Sequence, residues 1–385
     1  MGVRAFGGHP KRKVAIAIGM IGAIGLIAAG CGGDDDDTSV ADDGTTADAT
    51  TADATTPQAT SVSPITVTLP YQDSIVWVGY EISKGKDGPF EINYGLKAET
   101  AATEGNSFTV QQLIAGNVDF AITGSVETMI ANARGNELFG IAAIQSDVFT
   151  IAATPESGTT SVEDLKGKAL GVTDLGGGEI PLVKAAIAGA GLEQSDVELQ
   201  VIGAGGAAAK KALENGDVAA AAGAINDFVP LEDAGLDFVQ IVGDDFSGLP
   251  NDYMVIRPEL EDDAEGIQNV VNLMKGWYEG TVYGEQFPDD ALARICVEVP
   301  EDCQDPAFAQ GFYDASLAIS IDEAKACGGP EIAKLETTRD SIAAVDVPEA
   351  ADVDVAAIFP DTYTEQMCPD QAVIDEFAAR TGATS

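Results

Sequence analysis

The chain has 385 residues, of which 45% are hydrophobic, and it carries a formal net charge of −43. This length favours two globular lobes. A surface this acidic repels nucleic acid and anionic lipid head groups, which excludes nucleic-acid binding as the main function. The single histidine, His9, lies in the N-terminal stretch. If that stretch is removed, a Ser-His-Asp triad, a Cys-His pair and a His-ligated metal are excluded.

Residues 1–30 have the pattern of an export signal. Basic residues up to Lys13 precede a 16-residue apolar run, Val14–Ala29, which is shorter than the ~20 residues of a membrane-spanning helix. The sequence Ala28–Cys31 resembles the bacterial lipobox, in which the cysteine is acylated and becomes the N-terminus. We predict a signal peptide over 1–30 and lipidation of Cys31. The alternative is an ordinary secretory signal followed by an incidental cysteine.

The segment after Cys31 is acidic and has little capacity to form a core. Residues 32–63 contain eight Asp, no basic residue and no aromatic residue. Such a segment cannot bury enough apolar surface to offset the entropy of ordering. We therefore predict that residues 31–63 are a lipidated cysteine and a disordered linker that holds the folded body off a membrane. Asp34–Asp37 lack the ligand spacing of an EF-hand loop, so no metal site is predicted there.

From Pro64 onward, strand-like and helix-like segments alternate, which predicts an α/β fold with mostly parallel sheets flanked by helices. Asp73 or Ser74 is expected to cap an early helix, and Ser161–Asp164 has the pattern of a capping box. Helices are also predicted at Pro181–Ala190 and Ala207–Glu214. The predicted strands are Ile65–Leu69, Val118–Ile122, Leu138–Ile144, Phe149–Ala153, Ala169–Val172, Val197–Ile202, Val218–Ala222 and Phe238–Val242.

Three segments in a fixed order carry a family resemblance. They are GKDGPF at 85–90, followed by Gly95 and Leu96, then GNSFTVQQLIAGNVDFAI at 105–122, then DLKGKALGV at 164–172. Together they resemble the solute-binding lipoproteins of ABC importers, in the branch for nitrate, sulfonates, taurine and thiamine-pyrimidine precursors. The resemblance covers roughly residues 65–256, and the lipobox agrees with it.

The resemblance implies a type II periplasmic-binding fold, with two α/β lobes joined by two crossover strands. Phe149–Ala153 and Tyr253–Arg257 are the expected crossovers. Lobe one is then 64–150 plus 254–385, with a helical C-terminal region, and lobe two is 151–253. It further implies a protein without enzymatic activity, metal or cofactor that delivers a small-molecule solute to an ABC-importer permease. We expect a monomer on the outer face of the cell membrane, attached through its lipid anchor only.

The ligand site is expected in the loops that follow the carboxyl ends of strands. Asp73 as a helix cap and Trp77 as a core residue are the alternative interpretation of the first loop. Glycines 176–178 allow close backbone approach to a ligand. The residues expected to bind the ligand are Tyr71, Asp73, Trp77, Thr123, Ser125, Glu127, Thr173, Asp174, Gly177, Glu179, Asn226, Asp227, Asp252 and Tyr253.

These loops contain six carboxylates and no Lys or Arg. The carboxylates would repel an anion, whereas Tyr71, Trp77 and Tyr253 could enclose a flat ring whose amino protons an acid accepts. We therefore predict a neutral or cationic, nitrogen-bearing solute such as a thiamine pyrimidine precursor. Acidic loops also arise from composition alone, and helix N-termini could hold an anion. A nitrate, sulfonate or taurine binder, a sensor component and a fold-related enzyme therefore remain the alternatives.

Four cysteines remain besides Cys31, and an even number in an exported chain suggests two disulfides. Three pairings are possible, and buried free thiols are the alternative. We predict Cys296–Cys303, which closes a short loop, and Cys327–Cys368, which attaches the C-terminal tail to the body.

Overall fold

A computed structural model of the protein describes residues 62–146, 148–173, 175, 178–203, 205–242, 249–345 and 347–384. The predicted signal peptide, Cys31 and nearly all of the acidic linker lie outside these residues. The described residues belong to one compact unit. Within them, no helix is long and apolar enough to span a membrane.

The strands come close to the predicted segments, with one addition. Strand β2 was not predicted, and β9 is shorter than the five residues expected. The strands are β1 (Ser63–Leu69), β2 (Leu96–Ala102), β3 (Phe120–Gly124), β4 (Phe139–Ser146), β5 (Phe149–Ala153), β6 (Ala169–Val172), β7 (Glu198–Val201), β8 (Ala220–Ala224), β9 (Val239–Gln240) and β10 (Pro250–Ile256).

The strands pair into three groups. β1 and β2 are parallel, in a register that runs from Ser63 opposite Leu96 to Leu69 opposite Ala102. β10 lies between β3 and β4 and is antiparallel to both. The five-stranded sheet has the order β7-β6-β8-β5-β9. In it β6 is parallel to β7 and β8, whereas β5 is antiparallel to β8 and β9. Both pairings in the three-stranded sheet are therefore antiparallel, whereas the five-stranded sheet is mixed.

Alternation along the strands divides the apolar residues of the five-stranded sheet between its two faces. Ile151 and Ala153 of β5 belong to one buried cluster, and Ala152 between them belongs to the other. Leu170 and Val172 of β6 lie in the first cluster as well. Successive side chains of a strand point to opposite faces, so this sheet is covered by helices on both sides.

The helices complete the layers around these sheets. Ser74 caps a short 3₁₀ helix, Ile75–Trp77, as the sequence predicted for Asp73 or Ser74. The helices are α1 (Val78–Lys84), α2 (Pro89–Tyr94), α3 (Asn106–Ile114), α4 (Ser125–Ala133), α5 (Ile180–Gly189), α6 (Ala207–Asn215), α7 (Ile225–Asp233), α8 (Ala264–Gln286), α9 (Pro288–Glu298), α10 (Pro306–Ala318), α11 (Ile321–Lys325), α12 (Ile332–Val345), α13 (Val355–Ile358), α14 (Thr364–Met367) and α15 (Gln371–Thr381).

The long helix α8 packs directly on α1 through two glycines. A Cβ atom on Gly79 would lie 2.2 Å from the carbonyl oxygen of Trp277, and one on Gly280 would lie 2.3 Å from that of Gly79. Real Cβ contacts are never this close, so any larger residue would force the helices apart. This contact fixes α1, and through it the preceding segment 70–77, against the core.

Two disulfides are present, in the predicted pairing. Cys296 and Cys303 have Cα atoms 5.6 Å apart and close the turn between α9 and α10. Cys327 and Cys368 have Cα atoms 4.4 Å apart. The second bond joins the turn after α11 to the segment before α15, so it attaches the C-terminal tail to the body.

Candidate functional site

A cavity of about 530 Å³ lies where strands from the different sheets end. Its walls come from the segments after β1, β2 and β6, from the ends of β4 and β8, and from the start of β10. The residues that line it are Pro70, Tyr71, Val76, Trp77, Glu104, Gly105, Asn106, Ser107, Phe108, Gln145, Val148, Phe149, Thr173, Gly178, Glu179, Ala224, Asn226, Asp227 and Asp252.

One wall is aromatic and comes from the segment after β1. The Trp77 indole Nε1 donates to the backbone carbonyl of Gln72 at 3.1 Å, and its ring meets that of Trp277 edge-on, with centroids 6.2 Å apart. Tyr71 is 42% exposed at the mouth of the cavity. Burial raises the pKa of Tyr71, and the charges of Asp302 and Asp227 raise it further. Trp77 lines the cavity but is only 3% exposed and belongs to the buried core, so Tyr71 is the more accessible of the two rings for contact with a flat ligand.

A second wall is held by Glu179, at the start of α5. Its Oε1 accepts the backbone N–H of Thr173 at 2.8 Å and the Thr173 hydroxyl at 2.6 Å. Glu179 is only 1% exposed. Because the two donors come from the residue that follows β6, this carboxylate closes the loop between β6 and α5 and places a buried acidic group at the cavity.

Asp227 stands in the first turn of α7. Its Oδ2 accepts the N–H of Ala224 at 2.8 Å, and its Oδ1 accepts the N–H of Gly205 at 3.4 Å. Burial raises the pKa of Asp227 to about 6, the bond from Ala224 opposes that shift, and the charge of Glu179 adds to it. The carboxylate is therefore costly to ionise without a nearby cation.

Asp252, at the start of β10, is the most strongly perturbed acid of the cavity wall. It is 3% exposed, and burial raises its pKa to about 7, opposed only in part by Asn106. The Asn106 Nδ2 donates to its Oδ1 at 3.4 Å, and the Asn106 Oδ1 has no hydrogen-bond partner among the described residues. An unpaired buried acceptor next to an acid favours a ligand that donates hydrogen bonds.

The charged side chains among the described lining residues are all acidic. Glu104, Glu179, Asp227 and Asp252 line the cavity, and none of its described lining residues is Lys or Arg. Across the described chain, no group of three His, Cys, Asp or Glu side chains is arranged to hold a metal ion. The site can accept hydrogen bonds and balance a positive charge, and it offers aromatic faces.

The structure places seven of the predicted ligand residues at this cavity: Tyr71, Trp77, Thr173, Glu179, Asn226, Asp227 and Asp252. Asp174 and Gly177 lie outside the described residues.

Two further predicted residues, Asp73 after β1 and Tyr253 in β10, have other roles. The Asp73 carboxylate pairs with Lys84 Nζ at 2.9 Å and accepts the Thr100 hydroxyl. Tyr253 is fully buried, with its ring 4.8 Å from that of Phe359. Because neighbouring strand residues point to opposite faces, the orientation that brings Asp252 to the cavity turns Tyr253 into the core. Tyr253 is therefore not part of an aromatic enclosure.

The three predicted residues at the end of β3 and in the first turn of α4 also lie outside the lining. The Thr123 hydroxyl donates to the carbonyl of Asn106 at 3.0 Å. The Ser125 hydroxyl donates to that of Pro250 at 2.8 Å, and Ser125 lines a smaller adjoining space of about 70 Å³. Glu127 lies against Gly124. Burial raises its pKa to about 7, and the charge of Asp252 adds to that shift.

Sequence reasoning missed the wall formed by Glu104–Phe108. These residues follow β2, which was not predicted as a strand, so the loop after it was not considered. Gly105 has a φ of +119°, which only glycine adopts readily, and Phe108 is 54% exposed. The signal was present, since the segment 105–122 carried the family resemblance and alternation in Leu96–Ala102 could have indicated the strand.

The comparisons with known proteins support the fold, and one of them matches a family model over part of the chain. Residues 91–254 match the family model described as NMT1/THI5 like. A comparison with curated protein sequences gives no significant match.

Solved structures similar to this chain include the following three. A Bordetella bronchiseptica protein has a TM-score of 0.62 and 23% identity, over 79% of this chain and 96% of its own. The periplasmic aliphatic sulphonate-binding protein of Escherichia coli has 0.59 and 19%, over 79% and 100%. The periplasmic nitrate-binding protein of Synechocystis has 0.52 and 12%, over 82% and 88%. These structures confirm the predicted α/β periplasmic-binding fold, and the family-model match agrees with the predicted resemblance over residues 91–254.

Proposed function

We propose that this protein is an extracytoplasmic solute-binding protein that captures a small molecule in its cavity and delivers it unchanged to an ABC-importer permease. The NMT1/THI5-like match over residues 91–254 and the periplasmic-binding fold support the class. A cavity of about 530 Å³ is within the range of small-molecule sites.

The proposal about ligand chemistry rests on the residues that line the cavity. We propose a neutral or cationic, nitrogen-bearing solute, with a thiamine-type aminopyrimidine as the leading candidate. Asp227 and Asp252 are buried acids with raised pKa values, so a cation or a strong hydrogen-bond donor would relieve the cost of their ionisation. In this proposal a flat ring contacts the aromatic side chains of Tyr71 and Trp77, which both line the cavity, while a carboxylate accepts its amino protons.

We also propose how the chain is divided around the site and where the protein acts. Residues 64–150 with 254–385 form one lobe and 151–253 the other, and the ligand is held between them. The protein acts as a monomer anchored through lipid on Cys31 to the outer face of the cell membrane, where the acidic linker lets it reach a permease.

Calorimetric titration against aminopyrimidines, simple amines, taurine and nitrate tests the proposal. We expect binding of a nitrogen-bearing solute and none of taurine or nitrate, and ligand recovered unchanged after incubation. The double variant Trp77→Ala, Glu179→Gln should bind its solute at least tenfold more weakly. Glu198→Gln, on the exposed face of β7, is the matched control.

Tight binding of an anion with none of the amines would overturn the ligand proposal and favour an anion binder. The sulphonate- and nitrate-binding structures of the same fold make that the second candidate. Chemical conversion of the bound solute would instead favour a fold-related enzyme.

A further inference from the structure

The loop closed by Cys296 and Cys303 reaches the start of the aromatic wall through one side chain. The Asp302 Oδ2 accepts the Ser74 hydroxyl at 2.7 Å and the backbone N–H of Ile75 at 2.9 Å. The loop itself is held by bonds from the N–H of Asp302 to the carbonyl of Val299 and from that of Cys303 to Pro300. The contact thus joins segments 227 residues apart in the chain.

This contact lies at the start of the turn that places Trp77 in the aromatic wall. Ser74 begins the 3₁₀ turn Ile75–Trp77, and the N–H of Trp77 donates to the carbonyl of Ser74 at 3.0 Å. The first N–H groups of such a turn have no partner within it. Asp302 provides an acceptor for the N–H of Ile75 from outside the turn. Its carboxylate is charged, and a charged acceptor makes a stronger hydrogen bond than a neutral one.

The charge of Asp302 also reaches the mouth of the cavity. Apart from burial, it is the largest influence that raises the pKa of Tyr71, ahead of Asp227. The two carboxylates therefore both act on one phenol. A positive group entering past Tyr71 would experience both.

We propose that Asp302, presented by the disulfide loop, is a positioning and specificity-determining residue of the cleft. It holds the Ser74–Trp77 turn so that Trp77 faces the ligand, and it extends the negative potential of the lining to the cavity mouth. Only its effect on solute choice rests on the proposed function; its effect on the turn and on Tyr71 does not.

Three variants separate these effects. Asp302→Asn keeps an acceptor for Ser74 and Ile75 but removes the charge, Asp302→Ala removes both, and Cys296→Ser with Cys303→Ser releases the loop. Asp263→Ala is the matched control, because Asp263 also caps a helix, with bonds to Glu265 and Gly266, and lines no part of the cavity.

Two measurements need no ligand. Hydrogen exchange at the Ile75 amide should be about tenfold faster in Asp302→Ala and in the cysteine variant, and near wild type in Asp302→Asn. The titration of Tyr71, followed by NMR of labelled tyrosine and assigned with Tyr71→Phe, should shift to lower pH in both Asp302 variants. Asp263→Ala should change neither. Unchanged exchange and titration in Asp302→Ala, or equal changes in Asp263→Ala, would overturn the proposal.

A third measurement addresses solute choice, with a permanently cationic N-methylated aminopyrimidine and taurine as probes. Affinity for the cationic aminopyrimidine should fall roughly two- to fivefold in Asp302→Asn, most strongly at low salt. An unchanged affinity would remove the specificity role and leave the positioning role. If the wild-type protein binds taurine and no amine, the proposed ligand class fails, while the exchange and titration results still decide the role of Asp302.

Discussion

Glu179 and Thr173 form a closed unit at the cavity, because one carboxylate oxygen accepts both the backbone N–H and the hydroxyl of the same threonine, at 2.8 and 2.6 Å. The bonds tie the start of α5 to the end of β6. The same side chain therefore fixes the wall and supplies part of its negative charge, and the two contributions can be separated by substitution.

We predict that Glu179→Gln will fold with near wild-type stability but bind a cationic solute more weakly. A glutamine carbonyl oxygen can still accept both Thr173 donors, so only the charge is lost. Glu179→Ala should cost about 1–2 kcal/mol in the free energy of unfolding, since two partly buried donors lose their acceptor. Chemical denaturation and calorimetric titration of both variants check this. Equal destabilisation by Gln and Ala would show that the charge itself holds the loop.

Solute affinity should depend on pH through the buried acids. Burial raises the pKa of Asp252 to about 7 and that of Asp227 to about 6. Below these values the carboxylates hold protons and attract a cation weakly, so affinity for a permanently charged amine should rise between pH 5 and 8, with protons released on binding. Calorimetry in buffers of different ionisation enthalpy counts them. Asp252→Asn should release fewer, whereas a flat pH profile in the wild-type protein would contradict the prediction.

The Cys327–Cys368 disulfide should stabilise the C-terminal part of the fold. Its partners are 41 residues apart, and closing a loop of this size restricts the unfolded chain by about 2–4 kcal/mol. We expect Cys327→Ser with Cys368→Ser to lower the free energy of unfolding by that amount, measured by chemical denaturation without reductant. A stability equal to wild type would mean that the bond does not form in the protein as purified.

Lipidation of Cys31 should decide where the protein is found. Cys31→Ser should move it from the membrane to the soluble fraction, since a signal-derived cysteine is the only anchor the sequence predicts. Fractionation in high salt followed by detection of the protein checks this. Retention of the variant on the membrane would show that the lipobox interpretation is wrong.

The sequence predicted the wall around Glu179 and Asp227 better than the wall around Asn106. Residues such as Glu179 and Asp227 follow short apolar strands with clear ends, so topology alone brought them to one edge of the sheet. The wall around Asn106 was missed because β2 was not recognised as a strand. Lys97 and Glu99 interrupt its apolar pattern, and its pairing with β1 alone leaves room for such charged residues. Tyr253 was misplaced because neighbouring residues on a strand face opposite ways, and the sequence does not say which faces the ligand.

The free energy of unfolding should fall as pH rises from about 4 to 7, the reverse of ordinary acid denaturation. Asp252 and Asp227 have folded-state pKa values of about 7 and 6, above the ~3.9 of an unfolded aspartate. Below pH 4 both states hold these protons. Above it the unfolded chain releases them first, so the stability due to these groups is lost as pH rises through the folded values. Asp252→Asn removes one such group, and its stability should fall less between pH 5 and 8 than that of the wild type. Glu198→Gln on exposed β7 is the control, and chemical denaturation across this range is the measurement. A wild-type stability that rises over the same interval, with Asp252→Asn parallel to it, would show that Asp252 is ionised in the folded protein throughout.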